Sequence, residues 1–312
     1  MRIFVTGATG FIGSAIVPEL IHAGHQVLGL TRSDAGAKSL LAAGAQVHRG
    51  DLNDLESLRN GAAMSEGVIH TAFIHDFSKF QEVCEVDRRA IEALGAALMG
   101  SGRPLLVTSG TGMANGAPGR PATEQDAPES SHAIPRVASE QAAASLAVKG
   151  VRVGVMRLPQ VHNTLKQGLV TYAIELARRK GVSAYVGDGR NRWPAVHVLD
   201  AARLYRLAFE KLETGVRYHA VAEEGVPMRD IAEVIGRGLK VPVVSVSAEE
   251  APAHFGWLAA FAGRDLPASG ALTQERLAWR PAGPGLIADL EQMRYHETET
   301  DAASAAPARA AR

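Results

Sequence analysis

The 312-residue sequence predicts an α/β fold: a doubly wound parallel sheet followed by a smaller α+β lobe. Three observations carry this. The chain opens with a short β-rich run, residues 3–6, that leads straight into glycines spaced three apart, Gly7, Gly10 and Gly13. Further short β-rich runs follow at 26–31, 46–49, 67–70, 105–108 and 152–157, with helical stretches between them. After Leu158 that rhythm stops, and Pro159, Gly181, Gly187, Gly189 and Pro194 punctuate irregular segments. Strands alternating with helices at this spacing imply right-handed crossovers between parallel neighbours. The expected division is 1–157 for the sheet domain and 158–295 for the lobe, the two interleaved through the helix that begins at Asp200. The lobe is expected to close over the carboxyl ends of the strands, where open α/β sheets bind ligands.

Taken in order, the run at 3–6 reads as a buried parallel strand, and the first helix opens at Gly10 with Ile12, Ala15 or Ile16, and Leu20 on one face. Pro18 removes one backbone donor from it and reads as a tolerated kink. The helix after the fourth strand carries Ile91, Leu94 and Leu98 at i+4, i+7 and i+11 from Asp87. Asp87 therefore sits on the apolar stripe, where an unpaired carboxylate is costly, so a partner is expected there, for structure or as a proton relay. Leu204, Leu207 and Leu212 make the helix from Asp200 amphipathic, and another helix is expected over 228–239. Residues 297–312 are Ala-rich and polar without periodicity, which suggests a disordered tail without chemistry.

The glycines point to a ligand. Gly7 permits a tight turn, Gly10 lets the backbone approach a pyrophosphate, and Gly13 lets the helix lie close on the sheet, so phosphates can meet unpaired N–H groups at the positive helix end. The bland alternative is a glycine-rich turn without ligand. Composition narrows the rest. With 33 basic and 33 acidic side chains, no long-range field favours nucleic acid or an anionic membrane as partner. The single cysteine, Cys84, excludes an intramolecular disulfide and fits a reducing compartment. No apolar run reaches the ~18 residues of a spanning helix, and the strand that starts at Arg2 leaves no room for a signal peptide, so a cytoplasmic location is expected. Metal ligation is unsupported: His70 and His75 are five apart, and one cysteine makes no thiolate cluster. No Gly-x-Ser-x-Gly surrounds Ser109, and the glycine loop lacks the Gly-Lys-Ser/Thr ending of phosphoryl transfer.

The run Thr6-Gly7-Ala8-Thr9-Gly10-Phe11-Ile12-Gly13 resembles the fingerprint of extended and atypical short-chain dehydrogenase/reductases, which have a Rossmann-type sheet. Other landmarks follow in that family's order. Asp51-Leu52 resembles its adenine-contacting pair, and Thr71-Ala72-Phe73 the turn that passes beneath the cofactor. Arg157-Leu158-Pro159 is similar to the Arg-x-Pro whose proline lies near the nicotinamide. Val196 to Asp200 resembles the lead-in to the lobe-joining helix, and Arg276 to Pro281 the closing segment. The resemblance covers about residues 1 to 290 and implies a nicotinamide dinucleotide held by Gly7, Thr9, Gly10, Phe11, Ile12, Gly13, Asp51, Leu52, Thr71, Ala72, Phe73 and Pro159. It also implies a homodimer. At the end of the second strand, an NAD site places a carboxylate for the ribose 2′-hydroxyl. Here Thr31 is followed by Arg32 and Ser33, which suit a 2′-phosphate, and NADP(H) is the expected cofactor. Arg32 as a solvated loop residue is the alternative, and Asp34 lies close enough to blur the preference.

The family's chemistry uses a Tyr and a Lys four residues apart, and this chain has no Tyr-x-x-x-Lys. With Glu140-Gln141 as register, the Tyr position falls on His132 and the Lys position on Arg136. A histidine can supply a proton near neutral pH, although Arg136 disfavours its charged form; Arg136 would keep the ribose. A surface loop role for His132 stays open. The carbonyl-orienting hydroxyl belongs at Gly110; Ser109 and Thr111 flank it and are expected to face one side, for a substrate oxygen or for backbone groups of the turn. In most extended members an asparagine occupies the place of Asp87, and an aspartate is similar to what an atypical NADP-binding subgroup shows. The reading that follows is NADPH-dependent hydride transfer to a small carbonyl or imine substrate. A non-catalytic NADPH sensor and a sugar epimerase or dehydratase are the alternatives.

Overall fold

In the computed structural model, which describes residues 1–114, 116–117, 119–128 and 134–295, strands and helices alternate through the first half of the chain. The strands are β1 (Arg2–Thr6), β2 (Gln26–Thr31), β3 (Gln46–Arg49), β4 (Gly67–His70), β5 (Leu105–Gly110) and β6 (Val153–Leu158). The helices between them are α1 (Gly13–His22), α2 (Asp34–Ala42), α3 (Leu55–Ala63), α4 (Phe80–Leu98) and α5 (Ala138–Val148). His132 and the tail 297–312 lie outside the described residues.

Local chemistry marks the helix starts. Ser33 caps α2 by accepting from the Gly36 amide at 3.0 Å, and Asp54 caps α3 by accepting from the Ser57 amide at 3.0 Å. The first helix begins at Gly13 rather than Gly10, because residues 7–12 are spent on the turn.

The second half contributes β7 (Gln160–His162), α6 (Leu169–Lys180), β8 (Ser183–Val186), β9 (Arg192–His197), α7 (Val198–Glu210), β10 (Arg217–His219), β11 (Glu223–Pro227), α8 (Met228–Leu239) and β12 (Val243–Val246). The main sheet has seven strands in the order β10-β6-β5-β4-β1-β2-β3, all parallel. The order reverses between β1 and β4, and that crevice is where such sheets bind ligands. One face is covered by α1, α2 and α7, through Ile16, Val17, Leu20, Leu40, Leu204 and Phe209. The other is covered by α3, α4 and α5, through Leu58, Ile91, Leu94 and Leu146.

The expected boundary at residue 157 is not a break in this core. Strand β10 pairs with β6, α7 packs on α1, and Trp279 is fully buried in the same cluster, so residues beyond 157 complete the first sheet. The lobe itself holds a three-stranded sheet, β11-β9-β7, and the parallel pair β8-β12, around a core that includes Val170, Ile174, Trp193, Ile231 and Phe255. Among the described residues no helix is long and apolar enough to cross a membrane.

Candidate functional site

The three glycines have three different local reasons. Gly7 has φ +68°, and a Cβ there would lie 2.7 Å from the Ala72 amide nitrogen and from Thr71 Oγ1. At Gly13 a Cβ would overlap the Gly7 carbonyl, so the bare backbone lets α1 sit on the turn. Gly10 is exposed, and a Cβ there would meet only the Gly7 carbonyl oxygen, at 3.2 Å. A Cβ at Gly10 would press on that one backbone oxygen and otherwise meet open space, so the bare backbone also leaves open the space in front of the helix. That helix end carries no side-chain cap, and the amides of Phe11, Ile12 and Gly13 have no acceptor among the described residues. Unpaired amides at a positive helix end form an anion cradle, and this one fits a pyrophosphate.

At the end of β2, Thr31 is buried while Arg32 is exposed and makes no hydrogen bond or ion pair among the described residues. Ser33 Oγ is occupied as an acceptor by the α2 cap, which leaves its proton free to donate. Asp34 pairs with Arg49 at 2.5 Å, on the surface. Asp51 is half-buried and accepts from the Asn53 amide at 2.7 Å, whereas Leu52 is part of the core.

Deeper in the crevice, Asp87 has the partners its position requires. The Arg136 guanidinium donates to Asp87 Oδ2 at 2.5 Å, Ser139 Oγ donates to the same oxygen at 2.6 Å, and His70 Nε2 reaches Oδ1 at 3.0 Å. Burial alone would raise this carboxyl, but the Arg136 charge and the His70 and Ser139 hydrogen bonds outweigh it and hold the group far below the usual carboxylate range. Because the carboxylate only accepts, His70 carries its proton on Nε2. Its Nδ1, when the ring is neutral, accepts from Thr6 Oγ1 at 2.7 Å, and Thr6 Oγ1 in turn accepts from the Ala72 amide at 3.3 Å. The network therefore ties α4 to the turn at 71–73.

Arg136 lies in the single turn Pro135–Val137 before α5; it also donates to Ser139 Oγ and, at 2.9 Å, to the Thr108 carbonyl, and its guanidinium lies 4.2 Å over the Phe73 ring. Arg136, the expected ribose contact, is engaged inside the protein. Its charge is spent on a buried carboxylate, and only its remaining N–H groups can reach a ligand.

Of the two roles open to Ser109 and Thr111, the structure shows partners inside the protein. Ser109 is buried and donates to Glu140 Oε1 at 2.8 Å; Thr111 is buried and donates to the Leu158 carbonyl at 3.5 Å. At Gly110 a Cβ would meet only the Leu158 carbonyl, at 3.7 Å, so there is room for a side chain but no hydroxyl in it. Glu140 belongs to a separate buried pair: Arg157 donates to it from Nε and Nη2, both at 2.8 Å. Burial works against the Glu140 charge, and Arg157, Ser109 and Arg217 more than compensate. Pro159 follows, half-buried. The sequence reading missed Ser139 and the role of His70. Ser139 was within reach of it, being three residues after Arg136 and so on the same side of a helical turn.

A family model described as the NAD dependent epimerase/dehydratase family matches residues 3–222. The chain belongs to that family. An uncharacterized protein of Schizosaccharomyces pombe is 50% identical over 298 residues, 95% of this chain and 100% of its own length. The 2-alkyl-3-oxoalkanoate reductase of Stenotrophomonas maltophilia is 26% identical over 258 residues, 78% of this chain and 77% of the relative. Among solved structures, the UDP-glucose 4-epimerase of Thermus thermophilus in complex with NAD superposes with a TM-score of 0.73 at 21% identity, covering 95% of this chain and 99% of that one. This family membership agrees with the resemblance read from the glycine motif, and the seven-stranded sheet agrees with the predicted fold class.

Proposed function

We propose that the protein is an NADPH-dependent reductase that transfers hydride to a small carbonyl or imine compound. The observation that carries the cofactor choice is at the end of β2: Arg32 is exposed without a partner among the described residues, Ser33 has a hydroxyl proton to give, and the neighbouring carboxylate of Asp34 is paired with Arg49. A 2′-phosphate would take two or more charge-assisted hydrogen bonds there. The amides at 11–13 would hold the pyrophosphate, Asp51 the adenine side, and the turn at 71–73 with Pro159 the nicotinamide side. The bound cofactor supplies the hydride. The protein's own part is to orient the substrate and deliver a proton to its oxygen or nitrogen. With Ser109 and Thr111 turned inward, that proton is assigned to His132, on the register that Glu140 and Arg136 set.

Titration with both cofactors tests the first half: NADPH binds more tightly than NADH by about 1–3 kcal/mol, and Arg32→Ala removes most of the difference. Equal affinities in the parent protein overturn it. His132→Ala lowers turnover by about 10²- to 10⁴-fold with NADPH affinity kept; full activity moves the acid role elsewhere. The inward-turned hydroxyls and the bare Gly110 also favour a second reading, an NADPH-binding sensor without turnover. Tight NADPH binding with no oxidation by a broad panel of carbonyl and imine compounds would select it.

A further inference from the structure

Three aromatic rings meet where the segment after β4 faces the lobe, and the reading above uses none of them. Phe77 lies parallel to Trp257, with centroids 4.1 Å apart and planes 6° apart. Tyr172 of α6 stands edge-on to both, at 5.8 and 5.1 Å. Phe77 comes from the segment that leaves the turn at 71–73, and Trp257 from a short turn in the lobe, Gly256–Leu258, so the stack bridges the two walls of the crevice. It is continuous with the site already described. Phe73, beneath the Arg136 guanidinium, is 5.4 Å from His75, and His75 is 6.2 Å from Phe77.

Two features mark this stack as exchangeable rather than as core packing. Trp257 is 39% exposed, whereas the other two tryptophans, Trp193 and Trp279, are 1% and 0% exposed. The phenyl ring is carried by the three-residue turn Phe77–Lys79 at the start of α4, and His75, Asp76, Ser78 and Lys79 around it are all exposed.

We propose that Trp257, with Phe77 as its displaceable cover, is a substrate subsite for a flat conjugated group, an aryl ring or an enone attached to the reacting carbonyl. A flat aryl or enone face on the indole gains the stacking that Phe77 gives up, with Tyr172 edge-on beside it. A saturated ring of the same size has no flat π face to offer the indole. The reacting carbonyl rests on the reductase reading; the stacking preference does not.

The experiment therefore has two readouts. Calorimetry on the full chain without added cofactor compares 1-phenylethanol with 1-cyclohexylethanol, and steady-state NADPH oxidation compares acetophenone with cyclohexyl methyl ketone. The phenyl compound should bind about 2- to 10-fold tighter, the range of an aromatic pair contact, and have the lower KM. Trp257→Leu should abolish the preference. Phe77→Ala should enhance it, because the ligand no longer competes for the indole face, whereas a merely structural stack would lose affinity for both compounds alike. No heat from either alcohol, or equal affinities in the parent protein, overturns the subsite. A phenyl preference in calorimetry with no NADPH oxidation by either ketone upholds the subsite and rejects the reductase reading. Oxidation by both ketones at equal KM does the reverse.

Discussion

A carboxylate buried in an apolar layer survives only if it is matched, and Asp87 shows how this chain does so. Arg136 supplies the charge, Ser139 and His70 supply hydrogen bonds, and Thr6 fixes the ring of His70. Removing one partner of such a buried pair leaves the other uncompensated and costs about 3–5 kcal/mol. Arg136→Met should therefore destabilise the fold by about that amount in urea unfolding. Asp87→Asn combined with Arg136→Met should recover much of the loss, because no charge is then stranded. A double variant no more stable than Arg136→Met would show that the guanidinium matters for more than charge balance, through its place over Phe73 and its bond to Thr108. The requirement for a partner could be read from the position of Asp87 on its helical stripe; the identity of the partner could not. Asp87 and Arg136 lie 49 residues apart, and no periodicity connects them. The same holds for Ser109, whose hydroxyl was expected near the substrate and instead answers Glu140, 31 residues on.

Among the elements, the turn from β1 into α1 was the most legible, because each glycine acts within a few residues of itself. The structure nevertheless separates what the spacing had grouped. Gly13 is required by the fold, since any Cβ there overlaps the Gly7 carbonyl at 2.1 Å, while a Cβ at Gly10 meets one backbone oxygen at 3.2 Å and otherwise faces what approaches from outside. Gly13→Ala should consequently lower the thermal midpoint, and Gly10→Val should lower it less while abolishing dinucleotide binding. Calorimetric titration beside a thermal melt checks both. Unchanged dinucleotide binding by a folded Gly10→Val variant would place the phosphates away from this helix end. Strand positions were also well predicted, since short β-rich runs between helical stretches mark a parallel sheet wherever they occur. Strand β10 was not foreseen: its three residues give no signal of their own, and pairing with β6 is what makes them a strand.

At the scale of the whole molecule, the two halves of the chain are sewn together through buried polar side chains, and His219 is one of the stitches. It sits on β10, its Nδ1 donates to the Ser269 carbonyl at 2.9 Å, and its Nε2 accepts from Arg157 at 3.3 Å. Burial pushes this imidazole down to about 4, with Arg157 adding to the effect against the pull of Glu124. An unfolded histidine titrates near ~6.5. Between these values the unfolded chain binds the proton and the folded one does not, so stability falls as pH drops from about 6.5 to about 4 and is level in this respect above that window. The loss is up to about 3 kcal/mol. Urea midpoints measured across this range should show it, and His219→Gln, which keeps a donor and an acceptor, should reduce the slope. An unaltered slope would assign the acid sensitivity to another buried histidine such as His162, whose ring is also depressed by burial.

The sequence alone determined the doubly wound sheet, the anion-binding turn and the need for a counter-charge at Asp87, because each of these is written in residues close together along the chain. Only the tertiary structure decided that Arg136 is bound to Asp87, that Ser109 and Thr111 turn inward, that residues beyond 157 complete the first sheet, and that Phe77 stacks on Trp257. Those are contacts between distant segments. Their geometry is set by how helices and strands pack, and packing leaves no periodic trace in the sequence of either partner.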